Sequence, residues 1–251
     1  MNNGVADKNK IRLNKAIAMS GYSSRRKADD LIQAGRVKIN GEVVKDLGYK
    51  ISFSDKVTVN DIKLIFKKNV YLLFYKPVGY ITTTKDEHGR KTIYDLLPVK
   101  YKHLNPVGRL DRDSEGLLLL SNDGHFINQI LHPSHNIKKT YVIKINSLLG
   151  PEEVDFIRNK LISGVNLNGQ IHRVDSVKEL RDISAKSRKQ TIFEAVIHEG
   201  INRQIRRMFQ LTGFSVSGLM RTKIGKINLG NLKRGDFKEL SKETAYAILR
   251  S

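Results

Sequence analysis

From Val70 onward the chain is punctuated by four short apolar runs: VYLLFY at 70–75, GLLLLS at 116–121, KTYVIKI at 139–145 and TIFEAVI at 191–197. Each has the length of a strand and falls short of an ordinary helix. Between them lie patches at helical spacing. Phe126, Ile127, Ile130 and Leu131 precede Pro133, Val154, Ile157 and Leu161 follow Pro151, and Ile205, Met208 and Phe209 precede Gly213. A proline suits the first turn of a helix and a glycine its end. Strands outnumber helices, so this part reads as an α+β domain on a mixed or antiparallel sheet. Val70 to Tyr75 is the longest unbroken apolar run, six residues against the roughly 20 that span a bilayer. No membrane span is expected. The opening MNNGVADKNK lacks the apolar core of a secretory signal and reads as a disordered tail over residues 1–10. The protein is expected to be cytoplasmic.

The first part of the chain follows a different pattern. Leu13, Ala16 and Ile17 mark a short helix that stops at Gly21, and Ser24 can cap a second helix that buries Ala28, Leu31 and Ile32 and ends at Gly35. Val37 and Ile39 then lead into Asn40-Gly41, a strong hairpin signal, with Val43 and Val44 returning. A last strand runs from about Asn60 into a linker. Arg25, Arg26 and Lys27 open the second helix, where cations oppose its dipole. A phosphate would compensate, because the free N–H groups at a helix start also point outward. Arg36 and Lys38 on the hairpin extend the same basic face.

The whole chain of 251 residues carries 45 Lys+Arg against 25 Asp+Glu, a net charge of +20. Such a field favours a polyanion. The charge is concentrated twice: 15 basic against 7 acidic residues in the first 69, and eight basic residues with one acid from Glu199 to Arg234. Two basic regions on two domains suit one long nucleic acid gripped at two places. A merely solvated surface is the plainer reading of any single basic stretch. With no cysteine, disulfides, thiolate metal sites and cysteine nucleophiles are excluded.

The stretch GRLDRDSEG at 108–116 holds the densest chemistry. Asp111, Asp113, Glu115 and Gly116 imitate the start of a calcium loop, but its twelfth position is Asn122 and positions seven to ten are all leucine. His132 and His135 have metal-ligand spacing without further partners. No metal is expected. By itself, an aspartate between Arg109 and Arg112 reads as a structural ion pair.

That stretch does not stand alone. KPVGYITT at 76–83, GRLDRDSEGLLLLSNDG at 108–124, KKTYVI at 138–143 and EGINRQIRRMF at 199–209 occur in this order. They follow LNKAIAMSGYSSRRKADDLIQAGRVKINGEVV, which resembles the S-four-type, or alpha-L, RNA-binding domain. Together they resemble the rRNA pseudouridine synthases of the ribosomal small-subunit pseudouridine synthase A family over nearly the whole chain. A DNA-reading helix-turn-helix competes for the first part alone, yet needs no hairpin after its second helix. The resemblance implies an S-four-type domain and linker over 11–68 and a pseudouridine synthase domain over 69–251, with a mainly antiparallel sheet flanked by helices. It implies ribosomal RNA as partner, no cofactor, and action as a monomer. The forms DRDSEG and INRQIRRMF resemble the large-subunit-specific members, which points to 23S rather than 16S rRNA. A non-catalytic ribosome-assembly factor is the alternative of a different class.

By the same resemblance Asp111 is the catalytic aspartate, Tyr141 the aromatic that packs on the target base, and Arg206 the arginine that pairs with the aspartate. An aspartate, with a usual pKa of about 3.9, is ionised at neutral pH. It can attack the sugar as a nucleophile or take a proton from the ribose, and the sequence leaves both open. Stacking on a tyrosine offsets part of the cost of flipping a base. Arg109, Arg203 and Arg207 are expected on RNA, with Lys76 near the site, although an exposed strand-end lysine is nearly as good a reading of Lys76.

Overall fold

The computed structural model describes residues 10–52, 54–65, 68–84, 86–180 and 190–249. The tail expected over 1–10 lies, except for Lys10, outside the described residues. The chain divides into two compact units between Asn69 and Val70.

The N-terminal unit runs β1 (Ile11–Arg12), α1 (Leu13–Met19), α2 (Arg25–Gln33), β2 (Val37–Ile39), β3 (Glu42–Val43), β4 (Lys50–Ile51), β5 (Val57–Val59) and β6 (Ile62–Lys63). The Ser24 hydroxyl accepts from the Lys27 N–H and starts α2, as its sequence predicts. Four strands pair in the order β3-β2-β5-β6, antiparallel throughout. Asn40 and Gly41, at φ +51° and +97°, make the turn between β2 and β3. Alternation along Val37, Ile39, Val57 and Val59 turns one sheet face onto Leu13, Ala16, Ile17, Ala28 and Ile32, and these residues form the core of this unit.

In the C-terminal unit the elements are β7 (Tyr71–Lys76), β8 (Asn105–Val107), β9 (Glu115–Ser121), α3 (Gly124–Leu131), β10 (Lys139–Ile145), α4 (Pro151–Ser163), β11 (Val165–Leu167), β12 (Gln170–His172), β13 (Ser176–Glu179), β14 (Thr191–Ile197), α5 (Gln204–Gln210), β15 (Val216–Ile224), β16 (Ile227–Asn228), β17 (Phe237–Leu240) and α6 (Lys242–Tyr246). The large sheet has the order β13-β14-β10-β15-β9-β7-β17, with β16 on β15 and β8 on β9. Its pairings are antiparallel except β15 with β9, so the sheet is mixed and mainly antiparallel.

Both faces are covered, which is why β7 and β9 read as unbroken apolar runs. Leu72, Phe74, Leu118 and Leu120 face α4 and α5 through Ile157, Leu161, Met208 and Phe209. Leu73, Tyr75, Leu117 and Leu119 face α3 and α6 through Phe126, Ile130 and Ala245. No helix among the described residues is long and apolar enough to cross a membrane.

Candidate active site

The parallel junction of β9 and β15 organises the site. Only Met220 with Glu115 and Arg221 with Gly116 are in register there. Gly116 sits at φ +109°, and a Cβ on it would lie 2.2 Å from the Arg221 carbonyl oxygen, so the approach of the two strands requires glycine. Arg221 is thereby drawn against the start of β9 and is 3% exposed.

The loop 108–114 that enters β9 is held by its backbone. Lys76, at the end of β7, is fully buried, and its ammonium donates to the carbonyls of Pro77, Asp111 and Ser114 at 3.1, 2.8 and 2.7 Å. Its three protons meet three acceptors. The Thr82 hydroxyl donates to the Leu110 carbonyl at 2.9 Å and accepts from the Leu110 N–H at 3.3 Å, and the Gly79 N–H donates to the Arg112 carbonyl. Leu110 anchors the loop in the core. What remains free is the Asp111 carboxylate, which has no hydrogen bond or ion pair among the described residues and lines a cleft of about 960 Å³.

Tyr141 and Arg221 line the same cleft, and they face each other across the β10–β15 pairing. The Arg221 guanidinium donates from Nε to the Leu117 carbonyl at 2.8 Å, and Nη1 lies 3.5 Å from the Tyr141 hydroxyl. Its buried Nη2 has no hydrogen-bond partner among the described residues. A desolvated cationic donor left open in a cleft is costly unless an anion or polar ligand completes it. Lys139 forms another wall of the cleft and donates to the His198 carbonyl at 2.8 Å. Burial, reinforced by repulsion from Arg221, pulls its pKa down to about 8. His172 and Gln204 both meet Glu199, at 2.6 and 2.9 Å, and hold that side of the cleft. Among the described residues no group of three or more His, Asp or Glu could hold a metal.

Asp111 and Tyr141 line the same cleft. Arg206 is not the partner of Asp111. Its Nε lies 3.2 Å from Asp113 Oδ2 and its Nη2 donates to the Asp113 carbonyl, because α5 approaches the loop two residues beyond Asp111. The buried arginine that lines the same cleft as Asp111 is Arg221, on a strand that carries none of the four ordered motifs. Lys76 is not an RNA contact, since its ammonium is enclosed by the loop it holds. Arg203 is exposed but pairs with both Asp113 oxygens at 3.0 and 2.9 Å, and Arg207 donates to Asn168 at 2.7 Å. Arg109 is exposed at the cleft. In the N-terminal unit Arg25, Arg26 and Lys27 are exposed on the first turn of α2, Arg36 reaches Asn60 at 3.3 Å, and Lys38 pairs with Asp61 at 2.7 Å.

A small helix-and-hairpin unit followed in the chain by a mixed, mainly antiparallel sheet agrees with the comparisons. Residues 70–211 match the RNA pseudouridylate synthase family, and residues 11–57 match the S4 domain. The chain belongs to the RNA pseudouridylate synthase family, whose enzymes isomerise uridine in RNA. It is 42% identical to the ribosomal large subunit pseudouridine synthase B of Bacillus subtilis, over 92% of each chain. It is 35% identical to an uncharacterised RNA pseudouridine synthase of Rickettsia typhi, over 95% of each. A crystal structure of a pseudouridylate synthase superposes with a TM-score of 0.63 and 29% identity, covering 95% of this chain and 99% of that one.

Proposed function

We propose that this enzyme converts uridine to pseudouridine in large-subunit ribosomal RNA, with Asp111 acting on the nucleoside, Arg221 beside it and Tyr141 beneath the flipped base. The observation that carries the assignment is the pair of open groups in one cleft, the Asp111 carboxylate and the buried Nη2 of Arg221. The reaction breaks the bond between N1 and the ribose C1′, turns the uracil, and joins C5 to C1′. The proton leaves C5, and N1 ends protonated. Substrate and product have the same atoms and the same oxidation state, so no redox cofactor is needed. A carboxylate suffices to start the exchange, either by attacking C1′ or by removing a ribose proton as the bond breaks. Arg221 would keep that carboxylate ionised and oriented once RNA excludes water. Tyr141 offers a flipped base a stacking surface worth about 1 to 3 kcal/mol.

Large-subunit RNA is supported by the name of the Bacillus subtilis relative. The N-terminal unit would dock on the same RNA through Arg25, Arg26, Lys27, Arg36 and Lys38, and Arg109 would meet the RNA where the base leaves its stack. Asp111→Asn should abolish pseudouridine formation while RNA affinity stays within a few-fold. Full activity of that variant would refute the assignment. Mapping pseudouridines in 23S and 16S rRNA from cells with and without the enzyme tests the substrate, and a difference confined to 16S would overturn the large-subunit reading.

A further inference from the structure

Arg206 and Asp113 lie one step outside the cleft chemistry, and neither touches the Asp111 carboxylate. The Arg206 side chain is 11% exposed. Its Nη1 donates to the Val216 carbonyl at 2.8 Å, its Nη2 donates to the Asp113 carbonyl at 2.8 Å, and its Nε stands 3.2 Å from Asp113 Oδ2. Val216 opens β15, five residues before Arg221, and Asp113 follows Asp111 by two. One planar guanidinium therefore ties the backbone of the loop that carries Asp111 to the strand that carries Arg221. Arg203 adds a second grip on the same carboxylate, both of whose oxygens it binds. Arg203 itself stands at φ +51°, a left-handed conformation uncommon for arginine. The β9–β15 ladder has only two register pairs, so it fixes the two segments weakly beyond Gly116.

Resting on the roles given above to Asp111 and Arg221, we propose that Arg206 and Asp113 form a strut that sets the separation of those two groups. Both are positioning residues for the isomerisation, and Arg206 is not a phosphate ligand, since its terminal nitrogens are committed to backbone carbonyls. The fork geometry is essential. A lysine has the charge but cannot present the rigid fork that donates to two carbonyls at once while its charge lies against the carboxylate.

The experiment uses the full chain and rRNA from cells lacking the enzyme. Arg206→Lys should lower kcat roughly 10- to 100-fold, the scale of a small misplacement of reacting groups, with KM nearly unchanged. Asp113→Asn, an isosteric change at a half-exposed side chain that keeps the backbone carbonyl, should lower kcat about tenfold. Millimolar guanidinium should restore part of the kcat of Arg206→Ala, which a loss of stability alone would not allow. Unchanged kcat in both Arg206→Lys and Asp113→Asn, or a rise in KM alone, overturns the strut. Asp111→Asn measured alongside separates the two claims. If it is dead while the strut variants are fully active, only the strut fails; if it is fully active, the active-site assignment itself fails.

Discussion

Arg25, Arg26 and Lys27 stand exposed on the first turn of α2, whereas Lys76, Arg206 and Arg221 are drawn inside the C-terminal unit with their donors aimed at backbone carbonyls. Exposed cations keep rotamer freedom and meet phosphate in water, so each adds modest affinity that salt screens. Enclosed cations have been paid for in desolvation, and they fix geometry instead. The same residue types thus serve attraction in one unit and positioning in the other. The difference predicts which variants change binding and which change the chemical step.

Among the cations, the largest effect should come from Arg221→Met, which keeps the length and apolar stem of the side chain while removing a buried cation from the cleft that Asp111 lines. The loss in kcat should be on the order of 10²-fold or more, the usual cost of deleting one preorganised charge partner. KM should stay within a few-fold, because the side chain is too buried to hold RNA phosphate. Single-turnover kinetics at saturating rRNA would read this directly. A variant that keeps its rate but binds RNA poorly would place Arg221 with the exposed cations and break the contrast.

Lys76 sharpens the contrast through pH. Burial pulls its pKa down to about 8 from the usual 10.5, against the attraction of Asp111 and Asp113. Below about 8 both folded and unfolded chains hold the proton, and the full cost of burying the ammonium is present. Between about 8 and 10.5 the folded chain releases it first, the unfolded chain binds more protons, and this group makes the fold relatively more stable as pH rises. Activity should move the other way. A neutral amine has two protons for three carbonyls, so the loop loosens and kcat should fall as pH passes about 8. Lys139 titrates in the same range. The descending limb should therefore persist in Lys139→Met, and its disappearance there would assign the limb to Lys139 instead.

Much of this arrangement was legible in the sequence where the signal is local. The runs that became β7, β9, β10 and β14, the spacing that became α3, α4 and α5, and the Ser24 cap each depend on neighbours within one element. Asp111 and Tyr141 came from ordered motifs. Arg221 was missed because its strand, VSGLMRTKI, mixes glycine and polar residues with apolar ones, and a lone arginine there reads as surface. Its burial is decided by Gly116, 105 residues earlier in the chain. Lys76 was misread for the same reason, since two of its acceptors lie at Asp111 and Ser114. Arg206 was given the wrong aspartate because Asp111 and Asp113 share one loop, and only the approach of α5 distinguishes them.

The smallest effect belongs to the exposed side of the comparison. Replacing Arg25, Arg26 and Lys27 by glutamine should leave the fold intact, because Ser24 still caps α2 and Ala28 and Ile32 still bury their face. Removing cations from the helix start relieves their repulsion with its dipole, a gain of about 0.3 to 1 kcal/mol each at low salt. RNA affinity should nonetheless fall, and the plot of log affinity against log salt should flatten by up to about 2, the slope carried by three phosphate contacts on single-stranded RNA. The rate at saturating RNA should be unchanged, since none of the three belongs to the unit that holds Asp111. An unchanged salt slope would show that this helix does not meet phosphate, and a reduced saturating rate would show that the N-terminal unit also helps to place the uridine.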